Sequence, residues 1–256
     1  MHCLAVCELG AALEPEEQAI AAALGVTPYD VRIRLSGVLP RVMSQLDDAA
    51  TALAVADRLR ARGHGVVVFD ANDALPLARM TLMRRFDAVG DQLFANDRKP
   101  PGRALGDVVA IVHAVLDVRV QRTSREITYR ATTRGTVREE DQHKSTEHAL
   151  EPVAVVYFRE GPPWLLRQSE ARYVALGDRV RPTVHENFQL AIEWLRARTP
   201  NAVYDDRFQR PPLRPERVVE VRDSESARAL SSDKSVEQTL HALGLWLGRG
   251  RGGPYR

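Results

Sequence analysis

The chain has 256 residues, 44% hydrophobic and 27% charged, the ordinary balance of a globular protein, which argues against wholesale disorder. Thirty-six Lys and Arg against 34 Asp and Glu leave a net charge of +2, too small for a strong long-range field toward nucleic acid or an anionic membrane. Lysine occurs only at Lys99, Lys144 and Lys234, an arginine bias that fits a GC-rich bacterial coding sequence better than a dedicated phosphate site. Two cysteines, Cys3 and Cys7, no cationic leader and no apolar run of about 18 residues point to a reducing cytoplasm and to no membrane partner.

Residues 3–9 read as a short buried strand closed by Gly10. Pro15 takes a first helical position, with Glu16 and Glu17 in the first turn, Ile20, Ala23 and Leu24 at helical spacing, and Gly25 placed to end the helix. Thr27-Pro28-Tyr29-Asp30 predicts a second, capped start, with Val31 and Leu35 as the apolar face and Gly37 as the stop. Residues 39–46 form a second strand. Asp47 is the expected cap of a third helix carrying Ala49, Ala52, Leu53, Ala56 and Leu59, ended by Gly63 and followed by a third strand at 66–69. The order is β-α-α-β-α-β.

That order, and the run "AATALAVADRLRARGHGVVVF" within residues 40–69, resembles the C-terminal domain of the bacterial ribosomal stalk protein; the likeness spans residues 1–70, about a quarter of the chain. The resemblance implies the fold of that domain. In the stalk family a Lys-rich, Gly-containing surface on the first two helices recruits translation factors. Here the first helix offers Glu14, Glu16 and Glu17, and the second only Arg32 and Arg34, so the resemblance carries the fold and not the ribosomal role.

Asn72, Asp73 and Pro76 mark a boundary, beyond which strands are expected at 80–89, 92–95, 126–132, 153–159 and 164–174. Residues 108–120 suit a buried strand or a buried helix equally. Thr183 and Glu186 form a capping box before Phe188, Ala191, Ile192 and Leu195, a helix stopped by Pro200. Residues 131–151 and 209–215 read as unstructured excursion and extended linker, and Val236, Leu240, Leu243 and Leu247 return to helical spacing. The expectation is an α+β protein: an N-terminal β-α-α-β-α-β sandwich (1–72), a mostly antiparallel β domain closed by an amphipathic helix (77–206), and a basic linker with an amphipathic tail (207–256). A small barrel plugged by a helix, as in pleckstrin-homology-like domains, would satisfy the middle part.

Chemistry is sparsely marked. The phosphate-binding, dinucleotide-binding and hydrolase-elbow signatures are missing from the sequence. Cys3 and Cys7 fall on one face of a strand about 13 Å apart, too far to share a metal, and read as small buried hydrophobes. His143, Glu147 and His148 lack the spacing of a zinc helix and read as solvated loop. His113 reads as a satisfied core histidine, with a catalytic base as the alternative; Tyr204-Asp205-Asp206-Arg207 reads as a charged turn.

The function expected from these features is a non-catalytic protein-interaction or regulatory module, with no cofactor or metal assigned and another protein as partner. Its contact surfaces are the helical face of the N-terminal module and the tail residues Leu240, Leu243, Trp246 and Leu247, docked into a partner's groove. On that reading, deleting residues 233–256 leaves the melting temperature nearly unchanged. A nucleic-acid binder using Arg207, Arg210, Arg214, Arg217 and Arg222 is the alternative. A second is an enzyme whose His113, or Asp205 and Asp206, lines a concave pocket.

Overall fold

The computed structural model describes residues 1–96, 102–132, 135–213 and 234–249, with the backbone path alone between 118 and 148. The first unit is built on β1 (His2–Glu8), whose residues from Cys3 to Cys7 are all buried, so both of its faces must be covered. It pairs antiparallel with β2 (Arg41–Leu46) on one side and β3 (Gly65–Asp70) on the other. Leu4 and Val6 face α1 (Leu13–Leu24), α2 (Pro28–Leu35) and α3 (Ala49–Arg60), packing on Ile20, Val31, Leu35 and Leu59. Local chemistry sets the helix ends. Gly25 takes a left-handed φ of 69° and closes α1 through its N–H to the Ala21 carbonyl. The Thr27 hydroxyl accepts from the Asp30 N–H at 3.1 Å while the Thr27 N–H donates to the Asp30 carboxylate at 3.2 Å, a complete capping box.

Two boundaries move from their expected places. α1 begins at Leu13, a turn's fraction before Pro15, and α3 is capped by Asp48 rather than Asp47: the Asp48 carboxylate accepts from the Thr51 N–H at 2.7 Å. A Cβ on Gly10 would lie 2.4 Å from the Gly63 carbonyl oxygen, so the first strand's exit and the third helix's exit touch only because Gly10 has no side chain. His64 locks that crossing by accepting from the Gly10 N–H at 3.2 Å and facing the Glu16 carboxylate at 3.2 Å.

The rest of the chain forms β4 (Thr81–Leu82), the small antiparallel sheet β5 (Asp87–Val89), β6 (Gln92–Phe94) and β7 (Arg103–Ala104), then the long strands β8 (Val108–Thr132) and β9 (Gly135–Phe158). β10 (Trp164–Arg167), α4 (Val184–Arg198), β11 (Val203–Leu213) and α5 (Lys234–Gly248) complete it. The main sheet has the order β11-β8-β9-β10-β4, antiparallel in its middle and parallel at both edges. Among the described residues it is an open sheet, with β11 and β4 at its edges.

Several expectations change here. Residues 108–120 are strand. The polar stretch 131–151 lies largely in β9, paired residue by residue with β8 from Val108–Phe158 to Thr132–Gly135, because ladder hydrogen bonds use the backbone and require no apolar side chains. The predicted strand 164–174 ends at Arg167, and 80–89 is broken into β4 and β5. Tyr204-Asp205-Asp206-Arg207 is no turn but the start of β11, parallel to β8, and the supposed linker continues as strand to Leu213.

The largest change concerns the tail. One face of the main sheet, through Ile111, Ala154, Val156 and Leu166, packs on Phe188, Ala191, Ile192 and Leu195 of α4. The other face, through Val112, Ala114, Val153 and Val155, packs on Val236, Leu240 and Leu243 of α5. The same helix sets Ala242 against Cys3, Ala5, Cys7 and Val67, the remaining face of the first sheet. α5 is therefore the shared layer between the two sheets. The Tyr157 hydroxyl donates to the Leu240 carbonyl at 2.8 Å, and a Cβ on Gly244 would meet the Tyr157 ring at 2.3 Å, so glycine there is what lets helix and sheet approach. The expectation that residues 233–256 can be removed without loss of stability does not survive this packing.

Candidate functional site: the α2 face and the adjoining cleft

Of the tail residues expected to bind a partner, Leu240 and Leu243 are wholly buried, and Leu247 packs partly against the same cluster. Trp246 is half-buried over Gly65, with the Arg249 guanidinium 5.1 Å from its ring centre. Leu240 and Leu243 are thus core side chains, while Trp246 and Leu247 are partly covered by the same fold. Of the basic series, Arg207 turns inward: it forms a salt bridge to Asp205 at 2.7 Å, and its Nη1 reaches the carbonyls of Leu39 (3.2 Å) and Cys7 (3.4 Å). Arg210 is exposed, whereas Arg214, Arg217 and Arg222 lie outside the described residues.

Cys3 and Cys7 are buried free thiols, and burial pushes them up to about 11 and about 12 respectively, far from reactive thiolates. The side chains of His143, Glu147 and His148 lie outside the described residues. His113 is buried beneath α4, edge-on to Phe188, with the Gln209 amide (2.8 Å) and the Tyr204 hydroxyl (3.0 Å) converging on Nδ1. With the amide donating to Nδ1, the ring keeps its proton on Nε2. Burial lowers its pKa, against a smaller opposing pull from Asp206. Asp205 and Asp206 do line a cavity, of about 510 Å³ between β11 and the loop after β1, together with Glu8, Tyr204 and Arg207. Asp205 is clamped by Arg207 and Asp206 is exposed, so the two do not share a site in the manner of an acid–base pair.

The first unit presents a different feature. Val31 and Leu35 carry the buried face of α2, which leaves Tyr29 and Ile33, four residues apart, on its outer face at 67% and 56% exposure. Arg32 flanks them and is held by a bidentate pair to Glu17, both bonds at 2.7 Å. The signal for this patch is visible in the sequence: an eight-residue helix with apolar residues at 29, 31, 33 and 35 cannot bury all four.

From the end of the same helix, Arg34 reaches β2, its Nη1 donating to the Met43 carbonyl at 2.7 Å. It there borders a cleft of about 520 Å³ where β2, the end of β11 and the first turns of α5 meet. Consecutive β2 residues from Arg41 to Gln45 line it, so the cleft runs along the strand's edge rather than over one face.

Compared with known proteins, the chain matches no family model, no curated protein and no solved structure. Among the described residues no helix is long and apolar enough to cross a membrane.

Proposed function

We propose that the chain is a non-catalytic protein-interaction module whose contact surface is the outer face of α2. The observation that carries this reading is the exposed pair Tyr29 and Ile33. An aromatic and a β-branched residue one helical turn apart, with the Arg32–Glu17 pair fixed beside them, have the form of a small anchor patch with a polar rim. The other side of α2 is held by the core, so the patch is presented on a rigid support.

The test is affinity capture from a bacterial lysate after nuclease treatment, with Tyr29→Ala/Ile33→Ala as the comparison. Both residues are exposed, so the variant keeps its melting temperature within a few degrees. The expected result is a nuclease-resistant protein held by the wild type and lost from the variant. A captured protein retained equally by both, or recovery of nucleic acid alone, overturns the reading.

A further inference from the structure

The cleft between β2, β11 and α5 combines two chemistries. Its floor is apolar, from Met43, Phe208, Leu213 and Val236. Its rim carries Arg34 and Arg41, and among the described residues no acidic side chain lines it. Neither arginine lies within ion-pair distance of a carboxylate among those residues. Arg34 spends one N–H on the Met43 carbonyl, which fixes the guanidinium against β2 and leaves its remaining donors without a described protein partner. Ser44, on the same strand, has a buried Oγ without a hydrogen-bond partner. Ser235, in the first described turn of α5, also lines the cleft.

Two cations, of which only Arg34 feels a carboxylate (Asp30, one turn back on α2 and outside the lining), select an anion, and the apolar floor favours one that carries an apolar body. A volume of about 520 Å³ falls within the range of about 300–1,000 Å³ typical of small-molecule sites. We propose that this cleft binds an amphiphilic anion: a single carboxylate or phosphate head held by Arg34 and Arg41, and an aliphatic body laid along Met43, Phe208, Leu213 and Val236. The planar guanidinium forks suit either head bidentately.

Isothermal titration of the full chain with decanoate, decyl phosphate, inorganic phosphate and decyltrimethylammonium, each kept below its micellar range, reads the proposal directly. Saturable 1:1 binding of one or both amphiphilic anions is expected, at least tenfold tighter than for inorganic phosphate or the cationic amphiphile; which head binds better separates a carboxylate ligand from a phosphate one. Arg34→Gln/Arg41→Gln removes two exposed cations, should melt within a few degrees of the wild type, and should weaken anion binding at least tenfold. No saturable binding, equal binding of the cation, or binding untouched by the double change overturns the proposal. The α2-face reading is tested separately by the Tyr29→Ala/Ile33→Ala variant, which should leave amphiphile binding unchanged.

Discussion

At the scale of single residues, the buried polar groups are local fasteners, and two of them make stability depend on pH. Arg207 shows the first point: its side chain pairs with Asp205 of the same strand and ties β11 to the end of β1 and to the loop before β2, which is why a residue that reads as part of a basic stretch serves as an internal tie. His113 and His241 show the second. Burial holds both rings below the ordinary value of 6.5, opposed by Asp206 and reinforced by His185 for the first, and opposed by Asp73 for the second. The unfolded chain therefore takes up protons that the folded chain refuses. Their contribution to stability is complete above about pH 6.5 and is lost as the pH falls from there toward the folded values. Glu16, Glu17, Asp30, Asp48, Asp70 and Glu186 are also held low, by their arginine, hydroxyl or backbone donors, but from ordinary values of 4.5 or 3.8, so their loss comes in a separate, more acid window. Urea midpoints should thus decline between pH 7.5 and 5.5, before the carboxylates titrate. His113→Asn, which keeps a partner for Gln209 and Tyr204, should flatten that slope at some cost in stability at pH 7.5. A wild-type midpoint independent of pH over this interval would remove histidine burial as a source of acid sensitivity.

At the scale of elements, legibility followed how much each element's own pattern determines. The caps at Thr27 and Thr183, the left-handed Gly25 and the apolar stripe of α4 are written in adjacent residues, and they stand where the sequence puts them. β9 and β11 were illegible for a physical reason: their polar portions are strand because a neighbour supplies backbone partners, and neither period nor β-propensity marks them. The outer face of α2 was half legible, since four apolar positions on eight residues imply leftovers but not which pair stays outside. α5 carries the signal of a core helix in its sequence, although its stripe also has the form of a docking face. Ala242, Leu243, Gly244, Leu245, Trp246 and Leu247 leave almost no polar side in its second half, the mark of a helix covered from two directions, whereas a docking stripe has one. Leu243, wholly buried against the main sheet, is the sharpest probe of this. Leu243→Ala should destabilise the whole chain by about 2–5 kcal/mol in chemical denaturation. Deleting residues 233–256 should abolish the cooperative transition, because both sheets lose a face. A truncated chain that melts like the intact one would return α5 to the status of an appendage.

At the scale of the whole molecule, the two sheets are joined through α5 while the β8–β9 hairpin runs on past them. Among the described residues β11 pairs with β8 as far as Leu213–Leu116, and β10 with β9 as far as Arg167–Val153. From Asp117–Leu150 to Thr132–Gly135 the two strands pair with each other alone among the described residues, over about 50 Å at the usual strand rise. A two-stranded ribbon paired with no further strand is marginal in water, so this arm should be separable from the fold. The register indicates where to cut. Asp117 and Leu150 lie opposite each other, so replacing residues 118–149 with Asn-Gly closes the hairpin through a two-residue turn and keeps every pairing below it. The shortened protein should retain a single cooperative unfolding transition within a few degrees of the parent, since Val108, Ile111, Val112, Ala114, Val153, Val155 and Val156 keep their partners. It should also keep the binding of both the α2 patch and the β2 cleft, which belong to other parts of the chain. Loss of the transition would mean that the arm contributes to the core, and loss of partner capture alone would move the interaction surface from α2 to the arm.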